Sequence, residues 1–112
     1  QYALFRHVPY PYKKVLQLIS LSMAARKVSS GEFSVEEAVK EGKACLVIVA
    51  GDASDRTKKH FSDMCDFRNI PIKFFSDKET LGHYIGKEFR ASVSINDKGL
   101  SDKILALICE EE

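Results

Sequence analysis

Residues 44–50, ACLVIVA, form an unbroken apolar run of strand length, closed by the turn signal Gly51-Asp-Ala-Ser-Asp55. With β-branched Val47, Ile48 and Val49 at its centre, the run predicts a central strand buried on both faces. A chain of 112 residues can build one core of that kind and not two. The fold must then place helices on both sides of the strand, and the rest of the sequence supplies them.

Between Lys13 and Val28, Val15, Leu18, Ile19 and Met23 mark a helix face that Leu16, Leu21, Ala24 and Ala25 widen. Arg26 and Lys27 fall in its last turn, where cations suit the helix dipole, and Ser-Ser-Gly stops it. Next comes GEFSVEEAVKEG (residues 31–42), read as a short acidic helix opened by a Ser34-Val-Glu-Glu37 capping box and closed at Gly42. That reading sets Glu36 and Glu37 in the first turn, where the dipole favours them.

After the central strand, Ser54 or Asp55 caps a helix over Thr57 to Arg68, with Phe61, Met64, Cys65 and Arg68 at helical spacing. A second strand follows over Ile70 to Phe75. Ser76 or Asp77 caps a short helix that turns Leu81, Tyr84 and Ile85 inward and ends at Gly86. A third strand covers Ala91 to Ile95. Asn96 or Asp97 opens a last helix with Leu100, Ile104, Leu107 and Ile108 on one face. Strands alternating with helices at this spacing predict a three-layer α/β/α sandwich, one domain over residues 13–112. Residues 1–12, QYALFRHVPYPY, lack a sustained period, and Pro9 and Pro11 argue against helix, so an extended N-terminal arm is expected.

Several function classes are excluded. No apolar run approaches the ~20 residues of a membrane span. The stretch after Lys14 is interrupted by Gln17, Ser20 and Ser22 and does not read as a signal peptide. Cys45, Cys65 and Cys109 are odd in number, lie far apart and show no zinc spacing with His7, His60 or His83. They read as small buried core residues in a reducing cytoplasm, with no metal and no cofactor. Gly51-Asp52 lacks the glycine-rich pattern and Lys-Ser/Thr pair of a phosphate loop. Asp52 and Asp55 read as turn and cap residues rather than as a catalytic pair. An enzyme is not expected.

Charge is unevenly placed. Five of the 17 basic residues (Arg6, Lys13, Lys14, Arg26 and Lys27) precede Glu32, and all 16 acidic residues come at or after it. A basic end on an acidic body permits contact with a polyanion without demanding it.

The order of elements, together with Ala44-Cys-Leu-Val-Ile-Val-Ala-Gly-Asp-Ala-Ser54, Asn69-Ile-Pro-Ile72 and Leu81-Gly-His-Tyr-Ile-Gly-Lys87, resembles the ribosomal protein L7Ae family, in particular its bacterial YlxQ-like branch. The resemblance covers roughly residues 14 to 110. It implies a four-stranded mixed sheet, with a short extra strand near Ser30 to Phe33 that the residue pattern does not itself reveal. It also implies binding of kink-turn RNA at one end of the sandwich, through three segments.

The first segment in the family reads Gly-x-Asn-Glu-x-x-Lys. Here the matching positions are Gly31, Phe33, Ser34 and Glu37, so only the glycine is retained and a lysine has become a carboxylate. The second is the turn Gly51-Asp-Ala-Ser54. The third is the loop Ile85-Gly-Lys-Glu-Phe-Arg-Ala-Ser-Val93. There Gly86, Ala91 and Ser92 allow close packing against a splayed nucleotide, and Lys87 and Arg90 are either phosphate contacts or solvated surface. Arg26 and Lys27 either fringe the same end or merely complement the helix dipole. Phe33 is either a stacking platform or a core residue of the short strand.

The expected function is RNA binding without catalysis in the cytoplasm. The partner would be ribosomal or kink-turn-like RNA, with the ribosome as its setting and the kink-turn site diverged and weakened. The alternative is a protein-interaction module that keeps the fold, in which the apolar arm joins another protein or a second copy of the chain.

Overall fold

The apolar run forms a strand in which Leu46, Val47, Ile48 and Val49 are all buried, at the centre of a computed structural model that describes residues 10–111. Around it, in chain order, lie α1 (Tyr10–Ala24), β1 (Val28–Ser30), α2 (Glu32–Lys40), β2 (Leu46–Val49), α3 (Asp55–Arg68), β3 (Ile72–Phe74), α4 (Lys78–Tyr84), β4 (Ser92–Ile95) and α5 (Lys98–Glu111). The sheet order is β1-β4-β2-β3, with β4 antiparallel to both neighbours and β2 parallel to β3. Helices α1, α4 and α5 pack together on one side of this mixed sheet, and α2 and α3 on the other. The expected three-layer sandwich is the observed fold.

The core runs through both helix layers. Val15, Ile19, Leu81 and Ile104 close one face of the sheet; Val35, Val39, Phe61 and Cys65 close the other. Each fully buried aliphatic or phenyl side chain contributes about 1.5–3 kcal/mol relative to exposure. Local chemistry sets the helix starts. The Thr57 N–H donates to Ser54 Oγ (3.1 Å), the Thr80 N–H to Asp77 Oδ1 (2.7 Å) and the Leu100 N–H to Asp97 Oδ2 (2.9 Å). Each start is thus capped by one of the two residues expected there. Among the described residues no helix is long and apolar enough to cross a membrane.

Several expectations are corrected. Helix α1 begins at Tyr10, inside the stretch read as extended, because Pro11 sits in the first turn, where a missing N–H costs nothing. Its start is pinned by the Tyr12 hydroxyl, 2.9 Å from Ser76 Oγ, and by the Tyr12 ring, 5.0 Å from that of Phe75. The expected arm otherwise falls on residues 1–9, outside the described residues. The same helix ends at Ala24, so Arg26 and Lys27 lie beyond its last turn. Arg26 takes the left-handed conformation (φ 62°), and the Arg26 and Lys27 amides donate back to Met23 O and Ser22 O. This is a Schellman closure with arginine where glycine is usual.

The capping box at Ser34 does not form. Gly31 is the N-cap, at φ 90°, and α2 starts three residues earlier than that box requires. Sheet pairing decides the matter: the Gly31 N–H donates to Ser92 O (3.0 Å), and its carbonyl accepts from the Val35 N–H (3.0 Å). Only Glu32 therefore occupies the first turn. The extra strand forms as Val28–Ser30, not Ser30 to Phe33, which leaves Phe33 on α2 with 74% of its surface exposed. It is not a core residue. Of the three cysteines only Cys65 is buried; Cys45 is half-buried and Cys109, one residue past the inward Ile108, is exposed.

Candidate RNA-facing surface

Three backbone links gather the segments at one end of the sheet. The Gly31–Ser92 bond joins the start of α2 to the start of β4. The Ala50 N–H donates to Ala91 O (2.9 Å), joining the turn after β2 to the loop before β4. The Gly51 N–H donates to Ser76 O (2.8 Å), and Asp52 Oδ1 accepts from the Lys78 N–H (2.9 Å), bringing in the start of α4. Asp52 is thereby explained as a turn residue.

Arg90 ties this end together. Its amide donates to Lys78 O (3.0 Å), its Nε to Ser30 Oγ (3.3 Å) and its Nη1 to Phe89 O (2.8 Å). The side chain is half-buried, so it presents a held guanidinium edge rather than a wandering charge. Lys87 is exposed beside Gly86, which takes φ 75° at the loop's turn. The Lys87 amide donates to Gly82 O (2.8 Å), laying the loop against α4. That packing leaves Phe89 61% exposed over a cleft of about 540 Å³ that His83, Tyr84 and Lys87 also line.

On α2, Phe33 and Ser34 are exposed, and Glu37 lies one turn beyond Phe33. The three line a shallow cleft of about 230 Å³ with Ser29, Glu41 and Lys43, and Lys43 Nζ pairs with Glu41 at 3.2 Å. The acids of α2 and of its C-cap, Glu41, thus divide between two faces. Glu37 and Glu41 face this cleft, whereas Glu32 and Glu36 face α3. There Arg56 approaches Glu32 at 3.7 Å, and His60 Nε2 is hydrogen-bonded to Glu36. Glu32, Glu36 and His60 place three ligand atoms within 4.8 Å of one another, the single such grouping among the described residues. The Glu36–His60 hydrogen bond and the Arg56–Glu32 ion pair account for it as a polar network between the two helices.

The structure therefore brings together Gly31, Gly86, Lys87, Arg90, Ala91 and Ser92, with Phe33 and Ser34 in the first turn of α2 beside Gly31; Glu37 lies a turn further along the helix, in the cleft that Glu41 and Lys43 line. The structure does not bring in Arg26 and Lys27. Lys27 O accepts from the Asn96 N–H at the far end of the β1–β4 ladder. The three residues of β1, at about 3.3 Å each, separate that pair from Gly31. Ser92 is buried and participates through its backbone alone. Phe89 was missed by sequence reasoning; the available signal was an aromatic set in a glycine-started loop between Glu88 and Arg90.

Residues 13–105 match the Ribosomal protein L7Ae/L30e/S12e/Gadd45 family. The chain belongs to this family. It is 37% identical over 91 residues to the RNA-binding protein YlxQ of Bacillus subtilis (strain 168), covering 81% of this chain and 91% of that protein. The RNA-binding protein YlxQ of Enterococcus faecium is 36% identical over 97 residues, covering 86% and 92%. Among solved structures, a protein of unknown function from Bacillus halodurans superposes with a TM-score of 0.83 at 40% identity, covering 86% of this chain and 97% of that one. The Giardia lamblia 15.5kD RNA binding protein shares the L7Ae-type fold, with a TM-score of 0.75 at 23% identity, covering 94% and 93%.

Proposed function

We propose that this L7Ae-family chain binds structured RNA, of kink-turn or ribosomal type, without catalysis and with the family's base-reading contacts weakened. The observation that carries the reading is the convergence of the α2 start, the Gly51–Ser54 turn and the Gly86–Ser92 loop through the Gly31–Ser92, Ala50–Ala91 and Arg90–Ser30 bonds. The bacterial relatives at 36–37% identity, both RNA-binding proteins by name, support the same partner class.

The division of labour follows from side-chain chemistry. Arg90 and Lys87 contact phosphate, which supplies affinity and salt dependence. Gly31 and Gly86 let the backbone approach the RNA closely. Phe33 and Phe89, both largely exposed, offer faces for unpaired bases, worth about 1–3 kcal/mol per stacked base. What is lost is discrimination. Where the family reads base edges with Asn and Glu and holds backbone with Lys, this chain carries Phe33, Ser34 and Glu37. By analogy with DNA readout, each lost bidentate contact removes about 1–3 kcal/mol of selectivity. Glu37 adds repulsion at a phosphate-facing position, and Arg26 and Lys27 contribute only long-range attraction.

Amide-shift mapping during titration with a kink-turn RNA tests the surface. Shifts should cluster at Gly31–Ser34 and Gly86–Ser92 and spare Arg26, Lys27 and α5. Shifts centred on any other face would refute the assignment.

A further inference from the structure

Among the described residues, three that are not glycine take positive φ: Arg26 (62°), Asn69 (57°) and Ser76 (61°). Asparagine visits this conformation readily. Ser76 is held by the Gly51 N–H on its carbonyl and by the Tyr12 hydroxyl on its Oγ. Arg26 has neither reason. It is exposed, and among the described residues its side chain has no hydrogen bond or ion pair. Glycine would close α1 at this position without the steric cost that arginine bears. A strained position of this kind points to a use for the side chain outside the fold.

Lys27 stands beside it, also exposed and also without a side-chain partner among the described residues. Backbone bonds place the pair at the end of the sheet opposite Gly31. Lys27 O accepts from the Asn96 N–H (2.7 Å), and Ile95 O, one residue back, accepts from the Cys45 N–H (2.9 Å). The turns before β2 and after β4 thus reach the same end and bring Lys43 and Lys98. These two cations are already paired, Lys43 with Glu41 at 3.2 Å and Lys98 with Asp102 at 2.9 Å. Arg26 and Lys27 are not.

The same short strand connects this pair to the other end. Ser30, at one end of β1, holds Arg90, and Lys27 directly precedes the other end. Three strand residues span about 10 Å. Roughly three stacked nucleotides cover that distance at a rise of about 3.4 Å each, taking the DNA value. One strand of RNA can therefore touch Arg90 and the Arg26–Lys27 pair together.

We propose that Arg26 and Lys27 form a second phosphate-contact site, which takes a single strand of RNA that continues past the kink turn along β1. To the kink turn itself the two charges add only long-range attraction, so the site acts on longer RNAs. Its contacts are with the backbone and add affinity and salt dependence without reading sequence. For its partner class the site rests on the RNA-binding reading above; its position is separate.

Titrations test it with a kink-turn RNA and with the same RNA extended, at either strand end, by about ten unpaired nucleotides. The proteins are the parent chain, Arg26→Gly, and Arg26→Gly combined with Lys27→Ser. In the parent, the extension should tighten binding roughly fivefold at low salt and steepen the slope of log affinity against log salt by about 1.4, from two phosphates at about 0.7 each. The double variant should lose both gains and keep most of its affinity for the unextended RNA. Arg26→Gly alone should unfold at a higher denaturant concentration than the parent. No gain from the extension, a gain that survives in the double variant, or a lower unfolding midpoint in Arg26→Gly would overturn the proposal. If the unextended RNA does not bind at all, the reading of the Gly31–Arg90 end fails, and amide shifts with the unpaired strand alone decide this one. Shifts at Arg26 and Lys27 would support it, and their absence would overturn it. Shifts there with oligoglutamate and not with RNA would also overturn it, by assigning the pair to an acidic protein segment.

Discussion

Gly82 and Glu88 meet backbone to backbone: a Cβ on Gly82 would lie 1.4 Å from the Glu88 carbonyl oxygen. Helix α4 therefore tolerates no side chain there while the loop before β4 keeps its path, and that loop carries Lys87, Phe89 and Arg90. Gly82→Ala should cost about 1–3 kcal/mol, the usual range for forced overpacking, and should displace the loop. Denaturant unfolding measures the cost. An unchanged midpoint would show that the loop yields freely.

Arg90→Ala should leave stability within about 1 kcal/mol, since its bond to Ser30 Oγ is long and partly exposed. Its effect should fall on RNA. Loss of one phosphate contact reduces the slope of log affinity against log salt by about 0.7–0.9. Arg90→Lys should not restore full affinity, because an ammonium cannot hold Ser30 and a phosphate with one planar edge. Titrations at several salt concentrations give both slopes.

Phe33→Asn, Ser34→Glu and Glu37→Lys together restore the family pattern on a helix whose start is already held by the Gly31–Ser92 bond. Affinity for a kink-turn RNA should rise at least tenfold, about 1.4 kcal/mol. No gain would mean that the Gly51–Ser54 turn or the Gly86–Ser92 loop has diverged as well.

Cys65 is buried, and burial pushes its thiol up to about 11 against an ordinary value of 9.0, with Arg68 partly opposing the shift. The unfolded chain gives up this proton first. The contribution is therefore complete below about pH 9 and is lost as pH rises toward 11, on the order of 2–3 kcal/mol. Cys65→Ala should show a shallower alkaline decline in unfolding free energy than the parent chain. In the folded protein a thiol reagent should modify exposed Cys109 first and Cys65 last.

How far the sequence could be read depended on whether local chemistry or sheet pairing decided each feature. The buried run at Leu46–Val49 and the caps at Ser54, Asp77 and Asp97 were legible because each rests on nearby residues. The start of α2 was not. Ser34 and Glu37 make a convincing local cap, but the Gly31–Ser92 pairing ends the strand three residues earlier and starts the helix there. The same cause moved Phe33 from strand to helix surface and set Arg26 and Lys27 at the wrong end of β1. A three-residue strand with two serines, Val28–Ser30, has too little pattern to announce itself. The loop residues Lys87 and Arg90 were legible as charges, but the contact between Arg90 and Ser30 spans sixty positions and depends on the folded sheet.

The central claim is selective RNA binding through the end of the sheet that Gly31, Phe33, Lys87 and Arg90 occupy. Its most direct test is a titration with a kink-turn RNA and an unstructured RNA of equal length, each across a salt series, for the parent chain and Lys87→Glu. The account predicts tighter binding to the kink-turn RNA, a preference that persists as salt rises, and its loss in the variant. Equal and equally salt-sensitive binding to both RNAs, or no binding at low salt, would contradict it.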